Sequence, residues 1–135
     1  MCFETRFHIY WSQTDAAGIV HFATFFEIVE HAEEEFYRSK GILHVHSRMP
    51  RVEAYASFKS PLRRGDVVRV VLKPLEIREK AVKYGFEIHN ETTGLLSAVG
   101  HIVAVCVEVD NGKLKATKCP QELIEAWRSI SDINA

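Results

Sequence analysis

The sequence is poor in most features that would assign a function at once. Its 135 residues carry 17 basic and 18 acidic side chains, a formal net charge of −1. Such a balance excludes an electrostatic nucleic-acid binder, which shows a clear basic excess. Only three cysteines are present (Cys2, Cys106 and Cys119), an odd number without CxxC or zinc-ligand spacing. They fit a reducing compartment better than a disulfide framework. The longest apolar-rich stretch, Leu95 to Val109, is broken by Ser97, Gly100, His101 and Glu108. It is too short and too polar to span a bilayer as a helix. The start, "MCFETRFHIYW", alternates polar and apolar residues and has neither the basic beginning nor the apolar middle of a signal peptide. Repeats, low-complexity tracts and linkers are absent as well. The expectation is one cytoplasmic domain over residues 1–135, with no nucleic-acid or membrane partner.

What is there is periodicity. Phe3, Phe7, Ile9 and Trp11 against Glu4, Arg6 and His8 predict a strand over residues 3–11. From Phe22 to about Lys40 the period becomes helical. Phe22, Phe25, Phe26, Val29, Ala32 and Phe36 share one face, Glu27, Glu33, Glu34 and Arg38 lie elsewhere, and Gly41 ends the helix. Four stretches rich in β-branched and aromatic residues follow, at 52–60, 66–78, 81–92 and 95–109, separated by "PLRRGD", "REK" and "ETTG" and followed by "DNG". Short connections favour antiparallel neighbours. Pro74 predicts a bulge or an edge position. After Pro120, Leu123, Ile124, Trp127 and Ile130 mark a short closing helix. This order predicts an α+β domain, an antiparallel sheet wrapped around one long central helix whose aromatic stripe it covers.

One segment carries chemistry. In "SQTDAAGIVHFAT", residues 12–24, the single carboxylate Asp15 sits among small and apolar residues just ahead of the helix. Spacing alone is satisfied by an Asx-turn. The string "TDAAGIVHFATFF", however, resembles the signature of the hot-dog-fold 4-hydroxybenzoyl-CoA thioesterase family, including the YbgC-type acyl-CoA thioesterases. The resemblance extends over nearly the whole chain, through "IYW", "AYASFKSPLRRGD" and "KCPQELIE". It implies a hot-dog fold with a five-stranded sheet, assembled as a homodimer or homotetramer by edge-to-edge sheet pairing, with active sites at the subunit interface. It also implies hydrolysis of an acyl-CoA or aryl-CoA thioester, with coenzyme A as part of the substrate and no separate cofactor.

By the same resemblance Asp15 attacks the thioester carbonyl or activates a water that does. The principal donor to the developing oxyanion is the backbone N–H of Phe22, at the positive end of the helix, while the Phe22 side chain joins the core. Gly18 lets the backbone approach the acyl group without a Cβ. His21 departs from the pattern: YbgC-type members often carry histidine one residue later, and the hydroxybenzoyl-CoA enzyme has aromatics at both positions. It is a candidate partner of Asp15, of the leaving thiolate or of a polar acyl group, or a packed histidine at the helix start. Among five glutamates between residues 27 and 35, most belong to a solvated face. Glu30, one residue past Val29, is the reserve carboxylate.

The three phosphate groups of coenzyme A call for basic residues at the mouth of the site. Arg78, Lys80 and Lys83 in "EIREKAVK", Arg63 and Arg64 in "PLRRGD", and Lys113, Lys115 and Lys118 in "KLKATK" are the candidates. Ser57 and Ser60 are placed near the acyl or pantetheine channel. Phe22, Phe25, Phe26 and Tyr55 are candidates for either an acyl pocket or core. Seven histidines, including "HVH" at 44–46 with His31 and His101, lack the Cys or His spacing of a zinc site, so no metal is expected. Two other readings compete: a non-catalytic acyl-CoA-binding or sensing domain, which needs no carboxylate, and a hydroxyacyl-thioester dehydratase, which pairs a histidine with an acid across the site.

Overall fold

The computed structural model describes residues 2–131. Alternation makes Phe3–His8 the first strand, β1, with Phe3 and Phe7 turned to the core and Glu4, Arg6 and His8 outward. The chain then makes one 3-10 turn, Trp11–Gln13, and a loop before α1, Phe22–Ser39. A second 3-10 segment, Leu43–Arg48, leads to β2 (Arg51–Phe58), β3 (Val67–Ile77), β4 (Ala81–Asn90) and β5 (Leu95–Val105). A small hairpin, β6 (Val107–Asp110) and β7 (Lys113–Ala116), precedes α2, Gln121–Ser129.

The five long strands form one antiparallel sheet in the order β1-β3-β4-β5-β2. Its inner face presents Val68, Val70 and Leu72 of β3 and Tyr84, Phe86 and Ile88 of β4 to α1, all in one continuous core. From α1 the buried residues are Phe25, Ile28, Val29, Ala32, Glu33, Phe36 and Tyr37. The helix stops where Gly41 takes φ 72°, a left-handed conformation open to glycine. Beneath its last turns α2 inserts Trp127, fully buried, with ring centroids 4.5 Å from Phe36 and 5.0 Å from Tyr84. Pro74 meets both expectations for it. The β3–β4 register shifts between Pro74 and Glu76, beyond Leu72 where pairing with β1 ends.

Four expectations are corrected. Cys106 and Cys119 are joined in a disulfide, with Cα atoms 5.3 Å apart, and only Cys2 is free. The β6–β7 hairpin folds the intervening residues back on themselves, which spacing alone does not reveal. The stretch expected as one strand over 95–109 breaks at Cys106, where the chain leaves the sheet for that hairpin. Phe22 is 62% exposed rather than core. It is the first helical residue and lies against the His21 ring, centroids 4.6 Å apart. Glu33, assigned to a solvated face, is fully buried because Arg51 and Tyr84 supply it with partners.

Candidate active site

The loop between the first 3-10 turn and α1 is built by its own polar groups. The Asp15 N–H donates to Ile19 O (2.9 Å) and Gly18 N–H donates to Asp15 O (2.9 Å). Asp15 Oδ1 accepts from the N–H groups of Ala17 (2.9 Å) and Ile19 (3.4 Å). Gly18 closes this turn at φ 79°, and the space a Cβ would occupy there is open. The Asx-turn expected of Asp15 is formed, and it engages one of the two carboxylate oxygens. Asp15 Oδ1 is the acceptor, while Oδ2 has no hydrogen-bond partner among the described residues, and the side chain is exposed.

Two contacts fix the loop to the body of the protein. Val20 N–H donates to Leu62 O (2.9 Å), and Ile19 bridges to Arg63. The "PLRRGD" turn is itself rigid: buried Asp66 accepts through Oδ2 from Arg63 N–H and Asn90 Nδ2, each at 2.8 Å. Ile9 N–H donates to Asp66 O, so β1 and the Asp15 loop hang from the same support. Asp66 was missed by sequence reasoning; its place at the end of a Gly-containing turn is the signal that could have found it.

His21 caps α1. Its Nδ1 accepts from the Ala23 N–H (3.3 Å), and its carbonyl accepts from Thr24 N–H (2.9 Å). An accepting Nδ1 places the neutral ring's proton on Nε2. The amide of Phe22 lies between these bonds and makes none among the described residues. A first-turn amide left unpaired at a helix N-terminus is suited to a developing anion.

The remaining candidates separate. Arg63 is brought beside the Asp15 loop, and Arg64 follows it on the exposed turn. Arg78 pairs with Glu76 (2.8 Å), which holds its guanidinium above its ordinary value. It lines a cavity of about 280 Å³ with Lys118 and Arg128. Arg128, in the last turn of α2, was not among the sequence candidates, because "WRS" reads as an ordinary helix end. Lys80 sits at the tip of the β3–β4 hairpin, where its carbonyl accepts from Cys106 N–H (2.9 Å). Lys83 is half-buried within β4, opposite Glu76. Lys113 and Lys115 are exposed on β7, Lys115 opposite Glu108. Ser60 is committed internally, donating to Leu96 O (2.9 Å), with Ser97 Oγ at 3.3 Å. Ser57 is half-buried and lies two residues from Tyr55, the same face of β2 on which Tyr55 stacks on His101. That is the outer face, so Tyr55 lines no inner pocket. Phe58, on the inner face, instead packs edge-on against Phe25 at 5.0 Å.

Glu30 is exposed, at the rim of an inner cavity between α1 and β2. It also converges with Glu34 and His46, their potential ligand atoms all within 4.8 Å of one another. His46 thus meets carboxylates of α1 rather than His31 or His101.

Comparison with known proteins assigns the class. Residues 9–127 match the thioesterase-like superfamily, and the chain belongs to it. The fold is the hot dog that its signature implied, and the superfamily's chemistry is thioester hydrolysis. Over 134 residues the chain is 31% identical to a putative esterase of Aquifex aeolicus, covering 95% of this chain and 99% of that protein. A 1,4-dihydroxy-2-naphthoyl-CoA hydrolase of Crocosphaera subtropica is 33% identical over 89 residues, 62% of this chain and 65% of that one. Among solved structures the dynemicin thioesterase superimposes with a TM-score of 0.90 at 19% identity, covering 98% of this chain and 99% of that one. No helix among the described residues is long and apolar enough to cross a membrane.

Proposed function

We propose that this protein hydrolyses acyl-CoA or aryl-CoA thioesters to the free acid and coenzyme A, with Asp15 as the reacting carboxylate. The observation that carries this reading is the pairing of two uncommitted groups around one short loop: Asp15 Oδ2 and the Phe22 N–H. The naphthoyl-CoA hydrolase relative supports a coenzyme A ester as the substrate.

In one route Asp15 Oδ2 adds to the thioester carbonyl carbon, and the electron pair moves onto the carbonyl oxygen beside the Phe22 amide. Collapse breaks the C–S bond, the thiolate leaves, and water cleaves the mixed anhydride to the acid, regenerating the carboxylate. In the other, Asp15 takes a proton from water as that water attacks. The Phe22 amide and the helix dipole serve the same oxygen in both. Gly18 leaves open space before the loop. His21 Nε2–H is the donor available to the departing sulfur. Arg63 beside the loop, and Arg78 with Lys118 and Arg128 at the cavity near α2, are the groups suited to the phosphates of coenzyme A. The site is completed by a second copy of the chain. β2 has a partner strand on one side only among the described residues, and it exposes Val52, Tyr55 and Phe58. An open apolar edge of this kind is ordinarily covered.

The test is thiol release from a panel of aliphatic and aromatic acyl-CoAs. Release of coenzyme A in proportion to enzyme and to acid formed supports the reading. Tight binding of the esters without turnover would favour the binding-domain alternative.

A further inference from the structure

Between α1 and the edge strand β2 lies a cavity of about 210 Å³ whose walls are apolar at one end and ionic at the other. Phe26, Val29 and Ile102 line it, beginning one helical turn beyond Phe22. Residues four apart on a helix share a face, so Phe26 lies on the face of α1 that begins at Phe22, the residue whose amide is proposed to polarise the carbonyl. At its far end stand Glu33, Arg51 and Tyr84. Glu33 is fully buried; Tyr84 Oη donates to its Oε1 (2.5 Å), and Arg51 donates to its Oε2 and to Met49 O. A guanidinium carries more donors than these two bonds use. Burial works against the charge on Arg51, but the hydrogen bond and charge of Glu33 outweigh it and keep the guanidinium protonated.

We propose that Arg51 is a specificity-determining residue: it ends the acyl cavity in a fixed donor, so that short acyl groups with a neutral acceptor at their far end are selected over plain hydrocarbon ones. The proposal rests on the thioesterase reading above. The volume has room for small acyl groups. A cavity of about 150 Å³ accommodates benzene, so about 210 Å³ holds one ring or a short chain with a small substituent. A neutral acceptor, a hydroxyl or carbonyl oxygen, fits better than a carboxylate. Glu33 already balances the guanidinium, and Glu30 at the rim adds a further negative charge. Without such an acceptor, the spare donors would be stripped of water and left unpaired when an acyl group fills the cavity.

The experiment compares kcat/KM for matched pairs of acyl-CoA and ω-hydroxyacyl-CoA of increasing length, in wild type and in the double variant Glu33→Gln/Arg51→Met. Both charges are replaced because removing Arg51 alone would leave Glu33 buried and uncompensated. Wild type is expected to favour the hydroxylated member by about tenfold or more at its preferred length, and the double variant to bring that ratio close to one. Arg51→Lys, which keeps the charge but not the planar fork, provides the same readout should the double variant melt early, and is expected to lower the ratio as well. Hydrolysis without preference in wild type, or an unchanged ratio in the folded variants, overturns the specificity proposal and leaves the thioesterase reading standing. Failure of wild type to hydrolyse any member overturns both.

Discussion

Asp15 occupies a position where local structure and chemistry make different demands on one carboxylate. Oδ1 is committed to the amides of Ala17 and Ile19, and Oδ2 is left for the proposed reaction. Asparagine retains the acceptor and removes the nucleophile, so the Asp15→Asn loop should keep its shape. Alanine removes both functions, and Asp15→Ala is expected to lower the melting temperature as well as activity. A second residue-scale prediction concerns Glu87. Its hydrogen bond to His89 (2.8 Å), opposed by burial and aided by Lys73 (3.6 Å), holds its carboxyl below the ordinary value of 4.5. Because the folded value is the lower one, this contribution is full above pH 4.5 and is lost as pH falls through the folded value. Urea melts of Glu87→Gln should therefore show a smaller loss of stability on acidification than wild type, by less than about 1 kcal/mol at this half-exposed site. An identical acid slope would contradict the assignment. At this scale Asp15 and Gly18 were legible because a turn and a motif both name them. Glu33 was not, since an acid in a run of glutamates reads as solvated until its distant partners Arg51 and Tyr84 are known.

At the scale of elements, the long helix, the five strands and the closing helix were all readable from period and turn residues. What the period could not show was where β5 gives way to the β6–β7 hairpin, because the apolar run continues through Cys106 into Val107 and Val109. The disulfide fixes that junction to the start of α2, across a sequence separation of 13 residues. Closing a loop of this length constrains the unfolded chain by about 3 kcal/mol. Reduction, or the pair Cys106→Ser and Cys119→Ser, should lower thermal stability accordingly, measured by calorimetry with and without reductant. No change would mean that the cysteines do not bond in solution. β5 carries a second dependence. A Cβ at Gly100 would lie 1.9 Å from Tyr55 O and 2.6 Å from the Phe86 ring, one contact on each side of glycine's neighbours in the sheet. The backbone cannot yield as a flexible side chain can, so Gly100→Ala is expected to destabilise by about 3 kcal/mol or more. A wild-type denaturation midpoint in that variant would count against the packing described.

For the whole molecule, the open edge at β2 is where the proposed assembly would bear on the proposed activity. The chain carries the Asp15 loop at one end of α1 and, at the edge of its sheet, a strand paired on one side only that exposes three large apolar side chains. Pairing two copies through β2 would cover Val52, Tyr55 and Phe58 and extend one sheet into the other. Lysine at both Val52 and Tyr55 places charge on that edge. It should weaken self-association at least about 30-fold, the loss expected of one strong interface residue, in sedimentation experiments, with activity falling in parallel. A wild-type chain that sediments as a single copy yet turns over thioesters would refute the shared site. Assembly is expected through resemblance alone, for nothing in composition distinguishes an edge that is paired from one that is not.

The most direct test is the rate of thiol release from the best acyl-CoA substrate, compared between wild type and Asp15→Asn at equal folded concentration. Removal of the nucleophile or base is expected to reduce kcat at least about 100-fold, while thermal stability stays close to wild type because the turn acceptor remains. Full activity in Asp15→Asn would contradict the central claim and transfer the search for the reacting carboxylate to Glu30.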